Sequence, residues 1–327
     1  MNKKASVWSS YGLLICMICG ILLGCVVGAM FPNVKDADGN VTAAGASVLK
    51  PLGQIFINLM FCIVVPMALL GLDVRLLTVF GDDLNAQKIA ASCAELGIDV
   101  SHSPFLPDEH TSTYLFINDE RGDMSLAVND MDIYRRLTPQ FLAQRQKLLD
   151  GAQVVAADTN PPAETLRYLA DHCTAPIFCD PVSTVKAEKL RPILGKLHTL
   201  KPNRIEAELL SGVKIRDKKS LRLAAERLLE TGLRRVFISL GNDGVFAADH
   251  ERAIHLPVIP GTMVNTTGCG DAFMAAIIYA YLRGTDLANT ARMGLAAASI
   301  AMESDETINP AMREDELLRR VETVKML

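Results

Sequence analysis

The chain has 327 residues, a net charge of −4 and a sequence pI of about 5.9, which excludes the basic surface of a nucleic-acid-binding protein. Half of the residues are hydrophobic and the mean hydropathy is +0.22, an excess that lies at the N-terminal end. The eight cysteines are scattered without a disulfide framework, so we expect a reducing compartment.

The N-terminal end contains two uncharged apolar runs. Residues 11–31 are long enough to cross a bilayer as a helix, and residues 52–72 form a second candidate span. A signal peptide is the alternative for the first run, because Lys3 and Lys4 precede it, but no small-residue cleavage site closes it. We therefore predict one or two retained spans with the N-terminus in the cytoplasm, and two spans would return the following residues to the cytoplasmic side.

From about residue 68 the pattern changes to alternating strands and helices, which is typical of an α/β fold. The same pattern predicts a hairpin over 111–117 and 124–128. Strands are predicted at 74–80, 153–157, 175–179, 236–240 and 245–248, and helices at 85–96 and 288–302.

Two of the predicted strands end in an aspartate. Asp158 follows strand 153–157, and Asp180 follows strand 175–179. Because ligands of open α/β sheets bind beyond the carboxyl ends of the strands, both carboxylates are expected at one rim. Each aspartate alone is more often a helix cap.

Asn203 and Glu206 are three residues apart and share a face if they lie on a first helical turn. Oxygen ligands in this arrangement suit Mg²⁺, often through water. A helix cap with an exposed glutamate is the alternative interpretation.

The glycine-rich stretch 265–271 precedes an apolar segment and is predicted to open a buried helix. The N–H groups of such a helix end suit a phosphate. Asp271, at the mouth of this site, suits a base that takes a proton from an attacking hydroxyl. The alternative is a plain turn with an N-cap aspartate. The chain has no G-x-x-x-x-G-K-[ST] loop, so a P-loop kinase is excluded.

The string Asn265-Thr266-Thr267-Gly268-Cys269-Gly270-Asp271 resembles the C-terminal signature of the ribokinase (PfkB-type) sugar kinases, with Cys269 where alanine is usual. Residues 203–206 resemble that family's Asn-x-x-Glu motif. The resemblance implies a ribokinase-like three-layer α/β/α domain over 68–327, with a central, mostly parallel sheet.

The resemblance also implies roles for individual residues. Asp271 is the expected catalytic base, Asn203 and Glu206 are the expected magnesium shell, and residues 268–270 are the expected anion hole. The anion hole then consists of Gly268, Cys269 and Gly270. The expected nucleotide site consists of Thr266, Ser239, Gly241, Gly244 and Asn309. The expected acceptor site includes Asn129 and Asp130.

Within the family, residues 129–131, 179–183 and 199–204 look most like the pseudouridine kinases. The family's first strand, which carries an acceptor-binding aspartate, and its Gly-Gly-x-x-x-Asn segment are missing. In their place, residues 52–67 resemble the early helices of dicarboxylate/amino-acid:cation symporters. We therefore predict two parts, a symporter-like membrane segment at 1–67 and an N-terminally truncated kinase domain at 68–327. The missing strand is expected to leave a sheet edge open.

The predicted function is ATP-dependent phosphorylation of a hydroxyl on a sugar or nucleoside, with an acceptor site impaired by the missing segment. An inactive membrane-attached fusion and a symporter fragment are the alternatives. ATP and Mg²⁺ are the expected cofactors, with a monovalent cation left open. The expected partners are the small-molecule acceptor and the membrane, with no nucleic acid and with a homodimer left open. We expect a membrane location with a cytoplasmic kinase domain.

Overall fold

The computed structural model describes residues 33–35, 41–43, 63–118, 124–261, 263–304 and 308–323. For 33–35, 41–43, 114–118 and 124–129 it describes the backbone alone. The chain divides into two units, Met1–Phe56 and Ile57–Leu327. In the first unit, strand β1 (Asn33–Lys35) pairs antiparallel with β2 (Val41–Ala43).

The second unit alternates helices and strands. Its α-helices are α1 (Val64–Leu69), α2 (Leu84–Glu95), α3 (Pro139–Ala143), α4 (Gln146–Asp150), α5 (Ala163–His172), α6 (Thr184–Ala187), α7 (Arg204–Ser211), α8 (Lys218–Leu229), α9 (Cys269–Leu282), α10 (Leu287–Met302) and α11 (Glu314–Val321). Its strands are β3 (Phe80–Gly81), β4 (Phe105–Leu106), β5 (Thr113–Asn118), β6 (Met124–Asp130), β7 (Val155–Asp158), β8 (Ile177–Asp180), β9 (Thr199–Leu200), β10 (Arg235–Ser239), β11 (Val245–Asp249) and β12 (Ala253–Leu256).

A six-stranded sheet organises the second unit, in the order β12-β11-β10-β9-β8-β7. Strands β7 to β10 are parallel, and β11 and β12 are added antiparallel at one side. Strand β7 is therefore the opposite edge of this sheet in the described part of the chain. Strands β3 and β4 form a separate parallel pair, and β5 and β6 form the predicted antiparallel hairpin.

Helices cover both faces of the sheet. Successive residues of a strand point to opposite faces, and in β10 the side chains of Val236 and Ile238 enter one hydrophobic cluster while Phe237 enters another. The first cluster includes residues of α7 and α8, and the second includes residues of α9 and α10. This arrangement confirms the three-layer α/β/α architecture with a mostly parallel sheet.

Helix α9 is buried along most of its length. All nine residues from Ala272 to Ala280 are buried, which explains why its sequence is apolar all round rather than amphipathic. Helix α10 packs closely against it, because a Cβ added at Gly294 would lie 2.5 Å from the ring of Phe273. The start of α9, which carries the glycine-rich loop, is therefore held rigidly.

The predicted strand over 74–80 is mostly wrong. The structure has an isolated parallel bridge between Arg75 and Asp99 and the short strand β3. The N–H of Thr78 donates to Oγ of Ser103 at 2.9 Å, so a side chain replaces a ladder hydrogen bond. An apolar run shows that a segment is buried, but not which partner receives its backbone N–H groups.

The predicted second membrane span is contradicted where the structure describes it. Residues 63–72 contain only the six-residue helix α1, which packs against α9 and stops before Gly71 at φ 78°. Leu70 is 1% exposed, in the same cluster as α9. An uncharged run can be buried in protein as well as in lipid, and here protein covers it. The first predicted span, 11–31, lies outside the described residues. None of the helices in the described ranges has the length and apolarity needed to span a bilayer.

Candidate active site

The loop before α9 is anchored to the end of α10. The N–H groups of Val264 and Asn265 both donate to the carbonyl oxygen of Met302, at 2.9 and 3.3 Å. Oδ1 of Asn265 accepts from the N–H of Thr267 at 2.9 Å and tightens the turn. Gly268 is the N-cap of α9 with φ 81°, a conformation that glycine adopts without strain. The sequence prediction of a glycine-rich turn that opens a buried helix is confirmed.

A buried ammonium lies against this helix start. A Cβ added at Gly270 would be 3.3 Å from Nζ of Lys201, so the absence of a side chain lets the lysine approach the first turn. Lys201 directly follows β9, and its N–H donates to the carbonyl oxygen of Cys179 at 3.0 Å. The positive end of the helix dipole and a full positive charge therefore occupy the same place, which suits an anion.

Lys201 is fixed by an ion pair with Asp180. Its Nζ is 2.8 Å from Oδ2 of Asp180, and both residues are buried. Burial on its own lowers the pKa of the Lys201 ammonium. The charges of Asp180, Asp271 and Glu206, together with the Asp180 hydrogen bond, outweigh this effect and raise the pKa above its usual value. Lys201 is therefore a permanent cation near neutral pH.

Asn203 and Glu206 form a capping box at the start of α7. Oδ1 of Asn203 accepts from the N–H of Glu206, and Oε2 of Glu206 accepts from the N–H of Asn203, both at 2.9 Å. Glu206 is 3% exposed, unlike the exposed glutamate of the alternative interpretation. Its burial raises the pKa of its carboxyl, and the charge of Asp180 adds to this, whereas the Asn203 hydrogen bond and the Lys201 charge oppose it.

The donor set can be compared with what a magnesium ion requires. No group of three or more His, Cys, Asp or Glu side chains in the described ranges could hold a metal by itself. The capping box leaves Oε1 of Glu206 outside its two hydrogen bonds, and the side chain borders the cavity described next. Because Mg²⁺ keeps several waters and binds through few carboxylates together with substrate phosphates, these residues fit it as outer ligands.

A single cavity of about 900 Å³ borders these groups. Asp271 lines it, and the first turn of α9 and the capping box lie on the same wall. The predicted site residues on its surface are Thr266, Gly268, Gly270, Asp271, Asn203, Glu206 and Ser239. The cavity continues past β7 to residues 76–78, along the sheet edge where a further strand was expected.

The two strand-end aspartates meet at this cavity, as the sequence predicted. Asp158 and Asp180 are register partners on β7 and β8, and both line it. The amide of Asn160 donates to Oδ2 of Asp158 at 2.5 Å, and Nζ of Lys186 donates to Oδ1 of Asn160 at 2.6 Å. Burial raises the pKa of the Asp158 carboxyl, against the Asn160 hydrogen bonds and the Lys186 charge.

Other predicted residues lie elsewhere. Asp130 is exposed and accepts from the N–H of Asp132 at 3.3 Å, and the side chain of Asn129 lies outside the described residues. Nδ2 of Asn309 donates to the carbonyl oxygen of Ile300 at 2.6 Å, so this amide closes the end of α10. Neither Asp130 nor Asn309 borders the cavity. Their roles in acceptor and adenine binding stay predictions.

The turn between β10 and β11 contains two glycines that were predicted to bind the nucleotide, Gly241 and Gly244. Their surroundings differ. Both have positive φ, 60° at Gly241 and 86° at Gly244, and neither lines the cavity. A Cβ at Gly244 would lie 2.0 Å from the carbonyl oxygen of Leu256, whereas a Cβ at Gly241 would meet nothing within 4 Å. The close approach of β12 is sufficient to explain why residue 244 is a glycine.

We expect Gly244→Ala to lower the free energy of unfolding by at least about 3 kcal/mol, because the backbone of β12 must move. Gly241→Ala is the matched control and is expected to cost about 1 to 2 kcal/mol, the strain of a left-handed alanine. Urea denaturation of both variants without nucleotide measures the difference. Equal costs would show that the contact with Leu256 does not decide the residue at 244.

Cys269 does not border the cavity, although its two neighbours do. Its N–H donates to the carbonyl oxygen of Thr266 at 3.3 Å, so the structure does not direct this group at an anion. Burial, and then the charge of Asp271, raise the pKa of the Cys269 thiol to about 11. A helix N-terminus by itself lowers a thiol pKa, but here burial and the adjacent carboxylate outweigh that effect.

Cys269 is therefore expected to resist alkylation at neutral pH. With a pKa near 11, about one thiol in a thousand is ionised at pH 8, and iodoacetamide labelling should speed up about tenfold per pH unit until about pH 11. Peptide mapping by mass spectrometry measures the rate, with Cys269→Ser as the background. A rate that levels off near pH 8 would contradict the buried position.

Sequence reasoning missed Lys201 and Lys186. Lys201 was included only in the stretch 199–204, and its burial beside Asp180 depends on a contact across the sheet. Its position directly after a short buried strand, at the edge where β7 and β8 also end, is the signal that could have indicated it. Lys186 carries no comparable signal, because lysine on a short helix is usually exposed.

Comparisons with known proteins agree with this geometry. The family model described as "pfkB family carbohydrate kinase" matches residues 61–314, so the end of the stretch 52–67, which was predicted to be symporter-like, belongs to the kinase match. The pseudouridine kinase of Escherichia coli (strain K12) is 35% identical over 264 residues, which cover 80% of this chain and 84% of that protein. An uncharacterized sugar kinase of the same strain is 36% identical, covering 79% of this chain and 72% of that protein.

A solved structure shows the same architecture. The carbohydrate kinase from Agrobacterium tumefaciens has a TM-score of 0.69 and 26% identity, covering 81% of this chain and 86% of that one. The family match includes both the loop before α9 and the capping box of α7. The chain therefore belongs to the pfkB family of carbohydrate kinases, which are ATP-dependent phosphotransferases.

Proposed function

We propose that this protein transfers the terminal phosphoryl group of ATP to a hydroxyl of a ribose-containing nucleoside, with pseudouridine as the favoured acceptor. The observation that carries the proposal is that one cavity borders Asp271, the glycines at the start of α9, Lys201 and the capping box of α7. The 35% identity to a protein named pseudouridine kinase supports the choice of acceptor.

Each of these groups has a place in phosphoryl transfer. The carboxylate of Asp271 accepts the proton of the attacking hydroxyl as the new phosphorus–oxygen bond forms. The backbone of Gly268 and Gly270 and the ammonium of Lys201 stabilise the negative charge on the transferred group. Because Lys201 is held by Asp180 before the reaction, little reorganisation is needed when that charge develops.

The residues also fit the expected ATP and Mg²⁺. The first turn of α9 beside Lys201 suits phosphates, and Ser239 and Thr266 border the same cavity. A magnesium ion, when bound, neutralises charge on the phosphates. Asn203 and Glu206 would orient its waters, with the capping box holding both side chains in place. A monovalent cation and a homodimer stay open.

An acceptor-dependent assay of the full chain tests the proposal. ADP release is measured with ATP and Mg²⁺, with pseudouridine, with ribose and without acceptor, and mass spectrometry detects the phosphorylated product. We expect release to depend on the acceptor and to be fastest with pseudouridine. Release at one rate in all three mixtures, without a phosphorylated product, would overturn the proposal.

We also propose that residues 11–31 attach the protein to a membrane. The support is the uncharged run of that length after Lys3 and Lys4. Fractionation of cells that express the full chain, beside a chain that begins at residue 57, tests this. Recovery of both chains in the soluble fraction would contradict it.

A further inference from the structure

Val182 has an unusual backbone conformation at the edge of the cavity. Its φ is 63°, and a β-branched residue in the left-handed region is a clear outlier. The side chain is 48% exposed and lines the cavity. Its N–H donates to Oδ1 of Asp180 at 3.1 Å, a bond that holds the strained turn after Pro181. Such strain persists where the surrounding structure imposes it, and it is most common at ligand sites.

A lysine with spare hydrogen-bonding capacity lies close along the chain. Lys186 is on α6, which Ser183 caps, and both residues line the cavity. Its Nζ donates to Oδ1 of Asn160 at 2.6 Å and lies 3.4 Å from Sδ of Met131. An ammonium has three donors and a thioether is a weak acceptor, so these two contacts leave donor capacity at the cavity wall.

The position of Asn160 makes this lysine a fixed donor. The Asn160 amide donates to Oδ2 of Asp158 and therefore presents its carbonyl oxygen to Lys186. The backbone N–H of Asn160 also donates to Oδ1 of Asp158, at 2.9 Å. The position of the Lys186 ammonium is thus fixed by a chain of hydrogen bonds that runs through Asn160 to Asp158.

One carboxylate joins this cluster to the phosphoryl-transfer end of the cavity. Oδ2 of Asp180 pairs with Lys201, and Oδ1 accepts from the N–H of Val182. Asp158, the register partner of Asp180, belongs to the cluster around Lys186. Val182, Lys186 and Met131 line the same cavity as Asp271, so the remaining part of an acceptor whose hydroxyl meets Asp271 has these three side chains within the same space.

We propose that Met131, Val182 and Lys186 form a subsite for the ring of the acceptor, a planar heterocycle of pyrimidine type with an exocyclic carbonyl oxygen. The branched side chain of Val182 and the polarizable Met131 thioether suit the flat face of a ring. The Lys186 ammonium donates to the carbonyl oxygen. A free sugar offers neither group. This subsite rests on the proposed function, because the ring must belong to the molecule that is phosphorylated.

Lys186→Met tests the subsite, since it removes the charge and keeps most of the side-chain volume. The measured quantity is the ratio of kcat/KM for pseudouridine to kcat/KM for ribose. We expect this ratio to fall about 10- to 100-fold, the loss of one hydrogen bond from a charged donor. A merely structural role lowers both values together and leaves the ratio unchanged, which would overturn the subsite.

Lys189→Met is the matched control. Nζ of Lys189 donates to the carbonyl oxygens of Thr159 and Pro161, at 2.8 and 2.9 Å, and the residue does not border the cavity. The ratio should stay within about twofold in this variant. A fall equal to that of Lys186→Met would mean that any loss of positive charge near α6 has the same effect, and it would overturn the subsite.

Val182→Gly is a second, independent variant, because glycine adopts the positive φ without strain. We expect an unchanged or higher melting temperature together with a KM for pseudouridine raised at least about fivefold, the loss of apolar contact with the ring. An unchanged KM would contradict contact between Val182 and the ring.

Equilibrium binding separates failure of the subsite from failure of the proposed function. Saturation-transfer NMR with pseudouridine needs no turnover. One outcome is that no acceptor is phosphorylated, that pseudouridine binds, and that Lys186→Met weakens the binding of pseudouridine more than the binding of ribose. The subsite then stands and the kinase proposal falls. The other outcome is that pseudouridine is phosphorylated, but that Lys186→Met lowers kcat/KM for pseudouridine and for ribose by the same factor. The kinase proposal then stands and the subsite falls.

Discussion

Asp271→Asn is expected to lower kcat by about 10²- to 10⁴-fold, the range found when a general base is removed. The amide has nearly the same shape as the carboxylate but cannot accept the proton of the attacking hydroxyl. Because Asp271 lies in the first turn of α9, its backbone is held by the buried helix, and the substitution keeps the shape of the side chain. The melting temperature should therefore change by less than about 3 °C.

The expected kinetic signature distinguishes a base from a binding group. Loss of a proton acceptor lowers kcat and kcat/KM together, whereas loss of uniform binding raises KM alone. Asp315→Asn is the matched control, because Asp315 is exposed on the first turn of α11. It should keep wild-type kcat. Equal kcat in Asp271→Asn and wild type would remove Asp271 from the catalytic role, and rates of both chains at the background without acceptor would favour an inactive domain.

Most of what the sequence predicted correctly depends on short-range patterns. The loop 265–271 and the helix start at Asn203 and Glu206 are each determined within a few residues, because caps and tight turns satisfy their own backbone groups. The alternation of apolar runs also predicted the three-layer fold, since a parallel strand covered on both faces has a continuous apolar sequence. These features could be predicted without the tertiary contacts.

What the sequence did not predict depends on contacts between distant parts of the chain. The end of the predicted span 52–72 is uncharged because α9 covers it, and hydropathy does not distinguish protein from lipid as the cover. The glycine at 244 is required by the carbonyl oxygen of Leu256, twelve residues away along the chain. The pKa of the Cys269 thiol is raised by its burial, which the sequence around it does not reveal. In each case the deciding group is outside the local pattern.

The residues of the candidate active site also fall into those that a local pattern identifies and those that only tertiary contacts bring together. Asp271 and the glycines of its loop were identified from one string, whereas Lys201 is brought to them by the pairing of β9 with β8 and β10. Parallel strands that end at one sheet edge collect residues from distant positions, and single residues after short strands have weak sequence signals. This is why the base was predicted and the adjacent cation was not.

Lys201→Met is expected to lower the free energy of unfolding by about 3 to 5 kcal/mol, the cost of leaving a buried charge without its partner. Asp180 is 9% exposed, and its Oδ2 would face methionine in place of the ammonium. The carboxylates of Asp271 and Glu206 add to the unbalanced negative charge, because both contribute to the raised pKa of Lys201. Urea denaturation of the full chain, followed by circular dichroism, measures this loss.

The double variant Asp180→Asn with Lys201→Met identifies the cause. Asparagine keeps an oxygen that can accept from the N–H of Val182, but it carries no charge, so the largest part of the buried charge imbalance disappears. We expect the double variant to recover at least about 2 kcal/mol relative to Lys201→Met alone, a coupling typical of contacting residues. Its phosphoryl transfer should nevertheless stay low, because the positive charge beside α9 is still missing. Recovery of activity together with stability would mean that Lys201 serves only to neutralise Asp180, and that the glycines of the loop suffice for the phosphoryl group.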